Sequence, residues 1–219
     1  MKPFPFLTAI VFALILSACE TLPKTDYANF YDHHPRSILV LPPFNKTTGV
    51  EAPIVFNTTV SKAFAERGYY VFPIRVAQDI LTDLGLTDEG LISSVLPQRL
   101  KEIFGTDAIL YITIVDWATH YFVISSDVTV KAEYKLVDAT SGEVLWQHTE
   151  SAVYLSGGAG AGGVAGLIVM AVAAAVTAAA VDYRPVAILV NNQAVSRAGH
   201  GLPAGPYHPQ YKKDAEQYR

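Results

Sequence analysis

The chain has 219 residues, with 16 Lys and Arg against 20 Asp and Glu, for a formal net charge of −4. At 51% hydrophobic and 16% charged it is too apolar for a disordered solvating chain, and its acidic balance gives no reason to seek nucleic acid. A single cysteine excludes an internal disulfide and a thiolate-rich zinc site.

Residues 1–18 carry the three parts of a secretory signal. Lys2 supplies the positive start, residues 6–16 the apolar middle, and Ser17-Ala18 the small residues before a cut. The apolar run is about eleven residues, short of the ~20 that a spanning helix needs. Leu16-Ser17-Ala18-Cys19 resembles the signal read by bacterial lipoprotein signal peptidase. That resemblance implies cleavage before Cys19, diacylglycerol on its sulfur and an acyl chain such as palmitate on the new amino group. Two or three chains anchor a protein stably where one does not. By the same resemblance Glu20, in a place where aspartate is the usual inner-membrane retention signal, implies that the mature protein goes to the outer membrane, its domain expected to face the periplasm. Loss of Lys2 with the signal leaves 201 residues and a net charge of −5, enough chain for one sizeable domain.

Residues 19–36 read as the lipidated cysteine and a tether, polar and without sustained period, although Tyr27, Phe30 and Tyr31 suggest that its second half packs on the domain. His33-His34 beside Asp26 and Asp32 invites a metal reading. Adjacent side chains of an extended segment point apart, so no metal site is expected.

A single domain is expected over residues 37–211. The apolar run 37–41, stopped by Pro42-Pro43, has the look of a strand buried on both faces. A polar turn over 45–49 leads to Pro53, a good first helical residue, and Phe56, Val60, Ala63 and Phe64 recur at helical spacing before Gly68. Residues 69–72 form the next strand, which makes a β-α-β unit with parallel strands. Residues 75–84 predict a short helix ended at Gly85. Thr87 is placed to cap a further helical stretch, 91–104, divided at Pro97 and closed by Gly105. Residues 108–115 read as a central strand.

After Asp116 the period becomes two. A meander is expected to start over 119–124, to run on over 128–137, and to return antiparallel over 144–155 after a turn at 138–143. Asp116, His120 and His148 are the residues that could converge for chemistry. Without a G-x-S-x-G elbow, an H-E-x-x-H pair or a catalytic cysteine, the expectation is no catalytic, cofactor or metal site, and an unrecognised periplasmic enzyme or small-ligand binder stays as an alternative.

Residues 156–181 carry no charge and open on Gly157-Gly158-Ala-Gly160-Ala-Gly162-Gly163. Gly158, Gly160 and Gly163 match a dinucleotide fingerprint, but they follow a hairpin arm and Asp182 precedes any further strand, so the context is wrong. Gly158, Gly162 and Gly166 lie four apart, the spacing that lets helices approach closely. A helix over 163–181 is expected to be buried or to drive self-association into a homo-oligomer; membrane insertion as an oligomeric component is the alternative. Residues 185–195 predict a helix, with a strand over 185–190 as runner-up. The Pro- and Gly-rich residues 202–209 predict an extended segment laid on the domain, and 212–219 a frayed tail.

The order of lipobox, strand before Pro42-Pro43, Gly105-Thr-Asp-Ala-Ile-Leu-Tyr-Ile112, small-residue helix and Leu202-Pro-Ala-Gly-Pro-Tyr207 resembles a family of bacterial lipoproteins of unknown function. The resemblance implies an α/β (α+β) core similar to the amino-terminal domain of TolB: a mixed sheet, parallel at first and then an antiparallel meander, with helices on it. It also implies an accessory subunit or scaffold of an envelope transport assembly, with a CsgG-like curli-secretion lipoprotein among its partners.

Overall fold

The computed structural model describes residues 27–121, 126–156 and 182–214, and all elements below belong to them. The mixed six-stranded sheet has the order β3-β1-β4-β5-β6, with β2 beside β4. β1 (Ser37–Val40) lies parallel to both β3 (Tyr70–Val71) and β4 (Ala108–Tyr121). Four successive apolar side chains suit that place because both faces of β1 are covered. Ile38 and Val40 join one core; Leu39 and Leu41 join the other.

The first core lies under α2 (Ala52–Glu66) and α6 (Arg184–Ser196). Phe56, Val60, Ala63 and Phe64 of α2 meet Tyr134, Trp146 and Leu110 from the sheet, and Val186, Val190 and Ala194 come from α6. Asn191 sits fully buried among them. Its amide donates to Thr59 Oγ1 (2.9 Å) and Ala187 O (3.0 Å), and its oxygen accepts from Tyr134 Oη (2.8 Å). These bonds satisfy groups that would otherwise each cost about 1–3 kcal/mol to bury. Burial, and after it the charge of Glu150, holds the Tyr134 phenol well above its usual value.

The second core is smaller and lies under α3 (Ile74–Asp83), α4 (Glu89–Ser94) and α5 (Pro97–Phe104), through Ala77, Leu81, Ile92 and Leu100. The cap of α4 is Asp88, one residue beyond the expected Thr87. Asp88 has extended backbone, and its Oδ1 accepts from the Gly90 and Leu91 amides at 2.8 and 3.1 Å. Leu96 is extended before Pro97, which separates α4 from α5 as expected.

Beyond the helices, β4, β5 (Ser126–Asp138) and β6 (Val144–Ser156) form the expected antiparallel meander. The expected break after residue 115 is instead a bulge inside one continuous β4: Ile114 opposes Ala132 and Asp116 opposes Lys131, so Val115 is the extra residue. Asp138 closes the β5–β6 turn, its Oδ1 accepting from the Thr140 and Ser141 amides at 2.8 and 2.7 Å. Burial pushes the Asp138 carboxyl up, but those amides, the Ser141 hydroxyl and the His33 charge together hold it below its usual value.

Three further expectations are corrected, and one alternative is removed. Phe44–Asn45, read partly as turn, is β2, hydrogen-bonded parallel to β4 at Thr113 and Ile114. The second half of the expected tether is α1 (Ala28–His33), with Tyr27 and Phe30 buried in the first core, so this stretch belongs to the domain. Residues 184–196 are helical throughout, which removes the runner-up strand. The tail does not fray at Lys212: Asp214 is 2% exposed, accepts from the Ala204 amide at 2.6 Å and pairs with Arg67 Nη2 at 3.3 Å. Of the segment 202–209 expected to be extended, residues 202–205 are laid on the domain with Leu202 and Ala204 buried, whereas residues 206–209 turn.

Candidate functional site

Cys19 lies outside the described residues, as do Gly158, Gly162 and Gly166 and the expected helix over 163–181. The described residues do establish where those segments meet the domain. α1 sits at the end of the sheet that holds the β5–β6 turn: His33 Nε2 is 3.7 Å from Glu143 Oε2, and Tyr27 Oη donates to Gly201 O at 2.5 Å. Seven residues, 20–26, separate Cys19 from Tyr27, a reach of at most about 29 Å fully extended. β6 ends at Ser156 at the opposite end, and the chain is next described at Asp182, just before α6. There Tyr183 stacks on Trp117 with ring centroids 4.6 Å apart, and Trp117 Nε1 donates to Glu51 Oε1 at 3.0 Å. The 13 residues of β5 put the two ends about 40 Å apart.

Asp116, His120 and His148 are not brought together. His120 is opposite Asp127, and its Nδ1 lies 3.1 Å from Asp127 Oδ2. His148 is opposite Tyr134, and Asp127 opposite Leu155, so the two histidines are about 23 Å apart along the strands. They also point to opposite faces, His148 with the core residues Trp146 and Tyr134, His120 away from Trp117. His148 stacks on Trp146 and sets Nε2 3.1 Å from Glu150 Oε2, which Arg197 Nε approaches at 3.6 Å. Glu150 is buried, so these partners balance a charge that would be costly alone. Among the described residues no group of three or more His, Cys, Asp or Glu could hold a metal ion.

The open face of the sheet forms a cleft of about 570 Å³ against the α4–α5 junction. Phe44, Leu96 and Val144 give it apolar walls; Tyr111, Glu133 and Lys135 line it from the strands. Lys135 Nζ lies 5.4 Å over the Tyr111 ring, and Lys46 Nζ is 3.9 Å from Glu133 Oε2. Burial raises the Tyr111 phenol. The serines on its wall are engaged within α4: Ser93 Oγ donates to Gly90 O at 2.9 Å and Ser94 Oγ to Leu91 O at 2.7 Å. The lining can therefore hold a ligand by packing and charge, but no described hydroxyl in it is paired with a base. Sequence reasoning missed the cleft because it depends on β2 and on the fold-back of α4, neither of which carries a periodic signal.

Comparison with known proteins bears on residues 25–207 above all. Residues 25–207 match a family model described as "Putative lipoprotein GNA1162-like". The Neisseria meningitidis serogroup B protein "Putative lipoprotein NMB1124/NMB1162" is 38% identical over 149 residues, 67% of this chain and 69% of that one. The crystal structure of lipoprotein GNA1162 from Neisseria meningitidis, also 38% identical, covers 63% of this chain and 95% of its own, with a TM-score of 0.54. The mixed sheet with helices on it matches that structure.

Proposed function

Because the chain belongs to the GNA1162-like lipoprotein family, we propose that it is an outer-membrane lipoprotein, acylated on Cys19, whose domain serves in the periplasm as a non-enzymatic subunit or scaffold of an envelope transport assembly. The observation that carries this reading is the packing of α1 on the domain, with Tyr27 and Phe30 buried. Eight Cα–Cα steps separate Cys19 from Tyr27, so the α1 end of the domain lies within about 29 Å of the acylated cysteine. A domain so placed meets proteins of its own membrane layer, a CsgG-like lipoprotein among them. The histidines add support, since each has a ring nitrogen 3.1 Å from a neighbouring carboxylate oxygen, His120 to Asp127 and His148 to Glu150. Homo-oligomerisation through the face of Gly158, Gly162 and Gly166 belongs to the same reading. A second reading, small-ligand binding, has the cleft at Tyr111 and Lys135 in its favour.

Cys19→Ser tests the anchor. The variant is expected to lose incorporation of labelled palmitate and to move from the outer-membrane fraction to the soluble periplasm. Retention in the outer membrane through a high-salt wash would overturn lipid anchorage. Glu20→Asp in parallel is expected to shift the protein to the inner membrane.

A further inference from the structure

The two edges of the sheet are treated differently. β3, at one edge, is two residues long, and the C-terminal segment is bonded to its approach: the Gly205 amide donates to Arg67 O and the Tyr207 amide to Gly68 O. β6, at the other edge, has 13 residues and, among the described residues, pairs only with β5. Over residues 147–153 its outer side takes part in no backbone hydrogen bond among the described residues. The Ser151 amide turns off the β5 ladder, bonding at 3.3 Å to Glu150 Oε1, so with a period of two the amides of residues 147, 149 and 153 also face outward. Gln147, Thr149, Ser151 and Val153 are exposed and uncharged, and this stretch has none of the lysines, prolines or bulges that guard a free edge.

We propose that the β6 edge is an interface with a second copy of this chain, the two β6 strands pairing antiparallel about a twofold axis at Thr149. Self-pairing is favoured because β3 is too short and too covered to receive a strand of this length, which closes the head-to-tail route. Charge selects the register. With Thr149 opposite Thr149, His148 of each copy faces Glu150 of the other. Moving the twofold axis one residue along, to Glu150, would instead set Glu150 against Glu150. The two five-stranded paths then join into one continuous sheet. This contact is separate from the glycine face and stands independently of any role in transport.

Single cysteines in the full-length lipoprotein test it, oxidised with copper phenanthroline in cells; the unsubstituted protein is the control for Cys19. In the proposed register the Thr149→Cys α-carbons lie about 5.5 Å apart, inside the range a disulfide bridges. The Val153→Cys pair is eight residues apart, about 27 Å. Both positions are exposed on the strand, so both variants are expected to fold. Thr149→Cys is expected to yield at least about tenfold more covalent homodimer than Val153→Cys. Absence of a homodimer from Thr149→Cys, equal yields at the two positions, or an adduct with a protein of another size would each overturn the interface.

Discussion

Asp214→Ala is expected to cost about 3–5 kcal/mol of stability, the range for breaking one partner out of a buried ion pair. The Asp214 carboxylate is 2% exposed and its Oδ2 holds two donors, the Ala204 amide at 2.6 Å and Arg67 Nη2 at 3.3 Å. Arg67 also donates through Nε to Leu202 O at 2.6 Å. One side chain at the end of α2 thus fastens both the segment after α6 and the last described residue. Without the carboxylate, the Arg67 guanidinium is left partly buried and the Ala204 amide loses its acceptor. Urea denaturation followed by tryptophan fluorescence reads the loss directly, because Trp146 Nε1 donates to His200 O within the same wrap. A change below about 1 kcal/mol would mean that the pair is replaced by water at little cost.

Gly205→Val is expected to cost about 3 kcal/mol, the upper end of the range for overpacking a tight contact. A β-carbon on Gly205 would meet the Gly68 carbonyl group, with its carbon 2.6 Å away. The obstacle is backbone, which cannot swing aside. Gly68 itself has φ +92°, and a β-carbon there would fall 2.5 Å from the His208 amide nitrogen. Each glycine therefore makes room for the other strand of the contact, and Gly68 also supplies the left-handed turn after α2. Gly68→Ala should lose a similar amount, by strain as well as crowding. As a comparison, Gly85→Ala has only its positive φ against it, since no atom lies within 4 Å of the added carbon, and should lose less than half as much. Equal losses at positions 85 and 205 would remove the close approach as the cause.

Legibility in the sequence followed the range of the interactions. β1 could be read because four apolar residues in a row have few uses other than a strand covered on both sides. β5 and β6 could be read because alternation over a dozen residues has one meaning. α6 was legible through its stripe at Val186, Val190 and Ala194. α1 was not, since six residues give no period, although Tyr27 and Phe30 marked that stretch as apolar enough to pack. β2 is made only by the passage of β4 beside Phe44 and Asn45. Asp214 looks like part of a charged tail until Arg67, 147 positions earlier, is brought to it. The site follows the same rule. His120 and His148 were placed correctly on one antiparallel meander, but β5 lies between their strands and their separation depends on a register that two distant turns decide. Cys19, Gly158, Gly162 and Gly166 stand as sequence readings, because they lie outside the described residues.

In the proposed function, position at the membrane, and not chemistry in the fold, is what this domain contributes. The most direct test of that claim is complementation of a deletion strain by two variants side by side. One inserts about twenty Gly/Ser residues between Glu20 and Thr21, adding a coil of roughly 25 Å root-mean-square length. The other, His148→Ala with Lys135→Ala, removes the buried histidine and the cation of the cleft. The long-tether protein is expected to reach the outer membrane at wild-type level and fail to complement, while the double variant complements. Full complementation by the long tether together with failure of the folded, correctly localised double variant would contradict the account.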